Sequence, residues 1–357
     1  MNLSIEYFLL LLLGFLACVF SKNRILCCMF ITSIVVLAVF RDVNVGTDTL
    51  GYEDDFNLIH EIDTAKKIIY HSFELGFLWL IVFYKSIFGN HYLSFVSLIW
   101  ILFFLSIYKF AKDNHVNRSL FFFLFVLYGY FFYSMNAIRQ TMAIAFIYLM
   151  IPLLHKKKYI KFGVAVIIIS YLFHRSELLA LSFIPIHYFT KKYNNSRKKY
   201  ILFFVVVSLI TSFFCGTLLS SLALKLIDLI PNVSIYENYV VGTMDKGFLM
   251  VLLYNIFAIY IYYSKPSKKY SFEWNIFLFS IIIYNVVTAF SVYAFRLYYV
   301  CNFMQILLLA QMVSDKETRH YRLFVFVVFI LGLVLFVWRY GVNNIEGVNP
   351  YQFRTLL

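Results

Sequence analysis

Charged side chains that could act on a phosphate or a sugar recur at a few separated positions of a very apolar chain. The string RDVNVGTDTLGYEDDF begins at Arg41 and contains Asp48 and Tyr52. Arginine carries a planar fork of donors that grips phosphate or carboxylate bidentately, and aspartate is a candidate general base. The same segment also fits a solvated acidic loop without chemistry of its own.

A second polar string, NAIRQTMA, contains Asn136, Arg139 and Gln140 within an otherwise apolar stretch. Asn136 precedes the other two by about one helical turn, so we expect the three side chains to share a face. Polar groups at membrane depth are costly unless they are partnered. Such a face is therefore expected to look into protein or a water-filled cavity.

Two further strings contain a histidine and a lone arginine. In LFHRSELL, His174 and Glu177 are three residues apart, with Arg175 between them, and histidine exchanges protons near neutral pH. The alternative is an interfacial histidine that fixes a helix end. Metal binding would need further ligands that the sequence does not identify, so no metal or cofactor is predicted. In YAFRLYY, Arg296 lies in a short turn between two apolar runs.

The composition defines the elements that must position these residues. Of 357 residues, 62% are hydrophobic and 14% are charged, and the mean hydropathy is +0.80. Soluble domains are roughly 45–50% apolar and about 25% charged. A soluble enzyme is thus excluded, and the sequence predicts an all-α, polytopic helical bundle. The net charge of +13 does not indicate nucleic acid, because the basic residues lie between apolar runs.

A helix needs roughly 20 apolar residues to cross a ~30 Å hydrocarbon core. On that measure the chain contains about twelve transmembrane helices in one integral membrane domain over 1–357. The predicted spans are 3–20, 24–40, 92–110, 119–134, 137–154, 159–173, 176–189, 200–219, 247–263, 274–292, 297–313 and 323–338.

The distribution of Lys and Arg orients these spans. Lys22 and Arg24 follow the first span, so this end of the span is expected inside and the amino terminus outside. In this orientation the polar loops 41–74 and 220–246 face outward. The apolar segment 75–88 would invert the later basic loops if it crossed the membrane. We therefore expect a re-entrant or interfacial helix there.

On this map, Arg41, Arg139 and Arg296 lie at outer span ends, where the orientation rule disfavours positive charge. Compensation by a bound anion is one reading. Snorkelling to lipid headgroups, or pairing with acids of the outer loop, is the other. The cysteines lie in apolar runs without metal-ligand spacing and are interpreted as small buried hydrophobes: Cys18, Cys27, Cys28, Cys215 and Cys301.

The order of these motifs resembles the EpsG family of bacterial polysaccharide polymerases, which are related to the Wzy-type polymerases of O antigen and capsule. The pattern is R-x-x-x-x-G-T-D-T-x-x-Y, then R-Q-x-x-A, then F-H-R-S, then a lone Arg before an aromatic pair, over roughly 1–313. The residues carried over are Arg41, Gly46, Asp48, Tyr52, Arg139, Gln140, His174 and Arg296. Arg175 to Glu177 depart from the small, uncharged residues expected after the histidine.

The resemblance implies a glycosyltransferase in the bacterial inner membrane, with its site facing the periplasm or cell exterior. Its substrates would be undecaprenyl diphosphate-linked oligosaccharides. The catalytic candidates are Arg41, Asp48, Arg139, His174 and Arg296. The substrate-binding candidates are Tyr52, Gln140, Asn136, Arg175 and Glu177.

Either Asp48 or His174 would accept the hydroxyl proton. Membrane lipid and a chain-length regulator protein are the further expected partners, and nucleic acid is not. The leading alternative is a flippase or transporter of the same lipid-linked oligosaccharide, which should show broken helices or charges at mid-span. An O-acyltransferase is third, because little beyond His174 indicates one.

Overall fold

The computed structural model describes residues 3–60, 74–192, 198–214, 248–265, 269–287 and 295–355, and the single positions 218, 221 and 225. Apolar runs satisfy their backbone groups without water by forming helices, and every regular element in these ranges is helical. The one β feature within them is an isolated antiparallel bridge between Arg41 and Phe353. The predicted all-α class is confirmed.

The helices are numbered here in chain order. Nine precede residue 173: α1 Ile5–Val19, α2 Arg24–Val39, α3 Thr49–Leu58, α4 Leu75–Phe88, α5 Tyr92–Asp113, α6 Arg118–Leu127, α7 Tyr130–Asn136, α8 Ile138–His155 and α9 Tyr159–Leu172. After the 3-10 turn Arg175–Ser182 come α10 Phe183–Lys192, α11 Lys198–Phe214, α12 Phe248–Ser264, α13 Ser271–Val287, α14 Phe295–Asn302, α15 Met304–Ser314 and α16 Tyr321–Phe336. A π turn, Val337–Val342, and a 3-10 turn, Ile345–Gly347, end the series.

The chain divides into two compact units, of which the first contains Met1–Leu178 and Val325–Leu357. Within it α1 packs on α2 and α6, α8 packs on α5 and α9, and α4 packs on α9. Its core is aromatic: rings that are fully or almost fully buried include Trp100, Phe103, Phe121, Phe122, Phe125, Phe131 and Phe132. Burying such large apolar side chains stabilises the unit and fixes the helix ends that carry polar groups.

The second unit contains Leu179–Phe324, and α13 is its central helix, in contact with α10, α11, α12, α14 and α15. Three of these helices are joined by a buried amide network. Asn255 and Asn285 exchange side-chain hydrogen bonds of 2.9 and 3.0 Å, and Asn285 also donates to Ser208 at 3.0 Å. The neutral amides satisfy one another's hydrogen-bonding groups, as polar side chains do where helices associate within membranes.

Within the described residues, four helices are long and apolar enough to cross a membrane: 92–113, 138–155, 296–314 and 321–342. The α6–α7 pair makes a fifth if it is one bent span, and six further apolar helices are 10–17 residues long. About twelve spans are therefore not confirmed. The prediction counted apolar residues along the sequence, and such a count does not show where the helical backbone of an apolar run is interrupted.

The clearest break divides the predicted span 119–134. Gly129, at φ +85°, interrupts the run, and α6 and α7 meet at 66°. Glycine adopts this left-handed conformation without the strain that a side chain would add. A second break at Ala137 separates α7 from α8. Asn136 therefore ends one helix while Arg139 and Gln140 begin the next, so the expectation that they share one helical face is wrong.

Three other predictions have mixed outcomes. The segment 75–88 is a helix over the predicted residues, and its placement at an interface stays a prediction. The predicted span 176–189 is instead the 3-10 turn followed by the short helix α10. Residues 61–73 and most of 220–246, which belong to the two predicted outer loops, lie outside the described residues.

The cysteine prediction holds for Cys301, which is buried. Cys18 and Cys27 are partly exposed and Cys28 is exposed, so for these three burial is wrong. They lie on α1 and α2, whose outer faces also expose large apolar side chains such as Phe15 and Met29. Cys215 is outside the described residues.

Candidate active site

Arg41 lies directly after α2, where its guanidinium is enclosed by protein. Its Nε donates to Thr49 Oγ1 at 3.2 Å, Nη1 to the Ala38 carbonyl at 3.2 Å and Nη2 to the Met135 carbonyl at 2.7 Å. The side chain is 3% exposed and also faces the Trp100 ring. The break after α7 brings the Met135 carbonyl within reach. None of these partners is charged, so no ion pair among these contacts offsets the charge of Arg41.

The loop after Arg41 leads to Asp48, which precedes α3 and accepts a 2.9 Å hydrogen bond from Thr47 Oγ1. One turn into α3, the Tyr52 hydroxyl makes a side-chain hydrogen bond with Arg139. The tyrosine therefore connects α3 to the first turn of α8.

A close contact fixes the glycine turn of this loop. Gly46 has φ +98°, and a Cβ there would collide with Asn136 Oδ1 and with Thr49 Oγ1. The Asn136 Nδ2 donates instead to the backbone carbonyl and the carboxylate of Glu346, each at 2.8 Å. The glycine is needed both for the backbone conformation and for this approach.

The C-terminal strap, residues 343–354, folds back over the same loop. Main-chain hydrogen bonds run from Gly46 to Gly347 at 2.9 Å, from Thr47 to Glu346 at 3.2 Å and from Asp42 to Gln352 at 2.9 Å. Arg354 forms a two-point ion pair with Glu53 on α3. The strap thus holds the loop and α3 in place.

Arg139, on the first turn of α8, has a different environment. Its Nη1 pairs with Glu74 Oε2 at 2.5 Å, and the two side chains are 15% and 13% exposed. Glu74 precedes α4, and its other oxygen accepts from the Arg175 backbone N–H at 3.3 Å. The Arg175 side chain is exposed. The Arg139 side chain therefore has a carboxylate partner and is also partly exposed.

Gln140, the next residue, connects to the 3-10 turn. Its Nε2 donates to Glu177 Oε1 at 2.7 Å, while its Oε1 accepts from the Tyr133 hydroxyl. Ser176 Oγ lies 2.6 Å from His174 Nδ1 and 3.0 Å from Glu177 Oε1. His174 and Glu177, predicted to be neighbours, are thus joined through the serine.

Glu177 is fully buried in the 3-10 turn, outside the helices that are long enough to span a membrane. Burial raises the pKa of its carboxyl to about 8, although hydrogen bonds from Gln140 and Ser176 favour the charged form. Nearby Glu74 raises the pKa further. A carboxyl with such a pKa can change protonation near neutral pH.

Nine of the ten predicted site residues lie in the first unit: Arg41, Asp48, Tyr52, Asn136, Arg139, Gln140, His174, Arg175 and Glu177. Arg296 is the second residue of α14 in the other unit, where it is partly buried. Within the described part of the chain, no three His, Cys, Asp or Glu side chains come together in a way that would hold a metal ion.

Several residues that complete this cluster were not predicted from the sequence: Glu53, Glu74, Tyr133, Ser176, Glu346 and Arg354. Ser176 lies between two residues that were singled out, so the motif itself could have revealed it. Glu53 lies inside the 41–56 string, and Tyr133 is seven residues before Gln140. Glu74, Glu346 and Arg354 reach the site from distant positions that no local pattern indicates.

The comparisons with known proteins identify a family. The model of the EpsG family matches residues 24–353, nearly the whole chain and all but the last residue of the strap. No curated protein and no solved structure matches the chain. Together with its long apolar helices, the family match makes this a membrane protein of polysaccharide biosynthesis. The chain belongs to the EpsG family, a Wzy-like family of polysaccharide polymerases.

Proposed function

We propose that this protein is a polymerase that joins lipid diphosphate-linked oligosaccharide repeat units by glycosyl transfer. The observation that carries the proposal is that two arginines lie close to one helix break: Arg41 donates to the Met135 carbonyl at the end of α7, and Arg139 is on the first turn of α8. Two guanidinium groups at the ends of apolar helices provide an anion site beside an apolar body suited to polyprenyl chains. A polyprenyl diphosphate has both features.

In the reaction, a hydroxyl at the non-reducing end of one repeat unit attacks the anomeric carbon of the sugar attached to the diphosphate of another. The new glycosidic bond forms as the bond between that carbon and the diphosphate oxygen breaks. Negative charge grows on the departing lipid diphosphate, so Arg139 stabilises the transition state more than the ground state. Arg41 adds its field from within the protein, and the catalytic role of Arg296, which lies in the other unit, stays a prediction.

A base must accept the proton of the attacking hydroxyl. Asp48 is held by Thr47 at the start of α3, whereas His174 belongs to a hydrogen-bonded chain and its side chain is 19% exposed. The geometry favours His174 in this role. Gln140 and Asn136 orient neighbouring groups, and Tyr52 with the exposed Arg175 contacts sugar or phosphate.

The proposal places the site on the outer face of the bacterial inner membrane, where flipped lipid-linked glycans are exposed. A cysteine at Thr47, which is exposed, tests this placement. In spheroplasts we expect an impermeant thiol reagent to label Thr47→Cys and not Ser196→Cys. Labelling of the second variant alone would invert the orientation. A variant of the chain that lacks its native cysteines provides the background.

One observation supports the flippase alternative: α6 and α7 meet at a 66° break, and broken helices are a feature of transporters. A deletion strain separates the two functions. Loss of a polymerase leaves single repeat units on the carrier at the outer face, whereas loss of a flippase leaves none there. We expect gels of surface glycan to show single units in the deletion strain and long chains on complementation. No outward-facing repeat units would reject the polymerase.

A further inference from the structure

The hydrogen bonds around Glu177 have a defined direction. A carboxylate only accepts hydrogen bonds, so Gln140 Nε2 and Ser176 O–H are the donors at 2.7 and 3.0 Å from Oε1. Gln140 is held in this orientation because its carbonyl oxygen accepts from the Tyr133 hydroxyl. The proton of Ser176 is therefore committed to Glu177 while that carboxyl is ionised.

This direction fixes the tautomer of His174. Ser176 Oγ, having donated its one proton, must accept the hydrogen bond at its 2.6 Å contact with His174 Nδ1. The imidazole therefore carries its proton on Nδ1 and presents the lone pair of Nε2. The side chain of His174 is 19% exposed whereas that of Glu177 is 0% exposed, so the histidine is the member of the chain that a substrate can reach.

We propose that His174, Ser176 and Glu177 form a proton relay that carries the acceptor hydroxyl's proton from the reaction site to a buried carboxylate. The inference rests on the proposed glycosyl transfer. His174 Nε2 takes the hydroxyl proton, Nδ1 passes its own proton to Ser176 Oγ, and Ser176 passes its former proton to Glu177 Oε1. The imidazole ends neutral with the proton on Nε2, and Glu177 ends neutral. His174 is the catalytic residue, and Ser176 and Glu177 are positioning residues.

The surroundings of Glu177 favour this final state. Its hydrogen-bond partners Gln140 and Ser176 are neutral, and within the described residues its Oε2 is buried without a partner. A buried carboxylate served only by neutral donors is costly, and protonation removes that cost. The raised pKa of Glu177 agrees with it. The relay therefore ends where a proton is well accommodated.

Other charged and titratable groups bear on the relay. Glu74, at the start of α4, opposes ionisation of Glu177, while the adjacent Arg139 on α8 is paired with Glu74. Tyr133 of α7 reaches the relay through Gln140, and Arg175 precedes Ser176 in the turn. The pH dependence of the relay should therefore report Glu177 in the field of Glu74.

The test is the pH dependence of kcat/KM for chain extension by purified protein with a lipid diphosphate-linked repeat unit. Glu177→Gln keeps the size and an acceptor oxygen but cannot take a proton, and Ser176→Ala cuts the chain. We expect both to lower kcat by roughly 10- to 100-fold, within the range for proton-transfer catalysis, with little change in KM. In Glu177→Gln the acid limb should also move to lower pH, because activity no longer requires ionisation of the Glu177 carboxyl, whose pKa is about 8.

Ser182→Ala is the matched control, since Ser182 lies in the same 3-10 turn and its hydroxyl has no hydrogen-bond partner within the described residues. It should retain wild-type rates, and thermal unfolding in detergent should be similar for all three variants. A lower rate with an unshifted pH profile in Glu177→Gln would overturn the relay and leave Glu177 a structural role. Failure of the wild-type protein to extend chains would instead reject the proposed function.

Discussion

Arg41 and Arg139 lie in the same unit, both close to the break after α7, but their surroundings differ in kind. Arg41 is 3% exposed, bonds only to neutral protein groups, and is followed by a loop that the strap covers. Arg139 is more exposed, has Glu74 as its partner, and precedes the Gln140 link to His174. The same side chain type is thus part of the framework at one position, whereas at the other it is the one to which the proposed function assigns the diphosphate.

The comparison shows why an arginine motif alone does not define a catalytic contact. Three donors of Arg41 are already used by the protein, so its main effect on a ligand is its charge. Arg139 shares its guanidinium with a carboxylate that a diphosphate could displace or join. Substitutions that act on activity in one region and on stability in the other would establish this division.

The largest effect is expected at Arg139. Arg139→Lys retains a positive charge but loses the planar fork, so one geometry-dependent contact to the leaving diphosphate disappears. We expect kcat to fall by about 100-fold or more, equivalent to roughly 3 kcal/mol of transition-state stabilisation. The amount of folded protein in the membrane should not change. Wild-type chain length in this variant would remove Arg139 from the site.

Arg41→Lys should act first on stability. The ammonium cannot reach Thr49, Ala38 and Met135 together, and each lost hydrogen bond costs about 1 kcal/mol. We expect the free energy of unfolding to fall by about 2–3 kcal/mol. Activity per folded molecule should fall much less than in Arg139→Lys. Unchanged thermal stability with complete loss of activity would instead make Arg41 a direct substrate contact.

Gly46→Ala tests the loop that follows Arg41. Its Cβ would collide with Asn136 and Thr49 while the backbone keeps φ +98°. We expect a loss of about 1–3 kcal/mol in the free energy of unfolding. Gly51→Ala, at an exposed position where a Cβ meets open space, is the control and should be stable. Equal stability of the two variants would contradict the packing described for this loop.

The smallest effect is expected where the strap meets α3. Glu53→Gln removes the charge of the partner of Arg354, and the two side chains are 13% and 25% exposed. Ion pairs near a surface contribute about 0–1 kcal/mol, so thermal unfolding should change little. Main-chain bonds hold the strap independently. A destabilisation as large as that of Arg41→Lys would show that this ion pair, rather than the main chain, fixes the strap.

Sequence patterns predicted those parts of the molecule that depend on local hydropathy. The helices at 75–88 and 138–155 match closely because each is a continuous apolar run. The break at Gly129 was missed because glycine lies inside an equally apolar run, where composition carries no information about backbone angles. The i, i+3 spacing of His174 and Glu177 was noted from the sequence, whereas their link through Ser176 was not predicted.

The remaining features of the site depend on contacts between distant positions. Glu74 and Arg139 are 65 residues apart, and Asn136 and Glu346 are 210 residues apart. No periodicity or motif records which acid meets which donor over such distances. The strap carries few charged residues, so its role became evident only when its carbonyls were found on the turn at Gly46.

The most direct test of the central claim is chain extension by purified wild-type protein and Arg139→Lys in liposomes that contain a lipid diphosphate-linked repeat unit. A polymerase converts the wild-type sample into a ladder of lengthening glycans and releases lipid diphosphate, while Arg139→Lys leaves single units. Wild-type protein that moves the lipid between leaflets without forming any glycosidic bond would contradict the account.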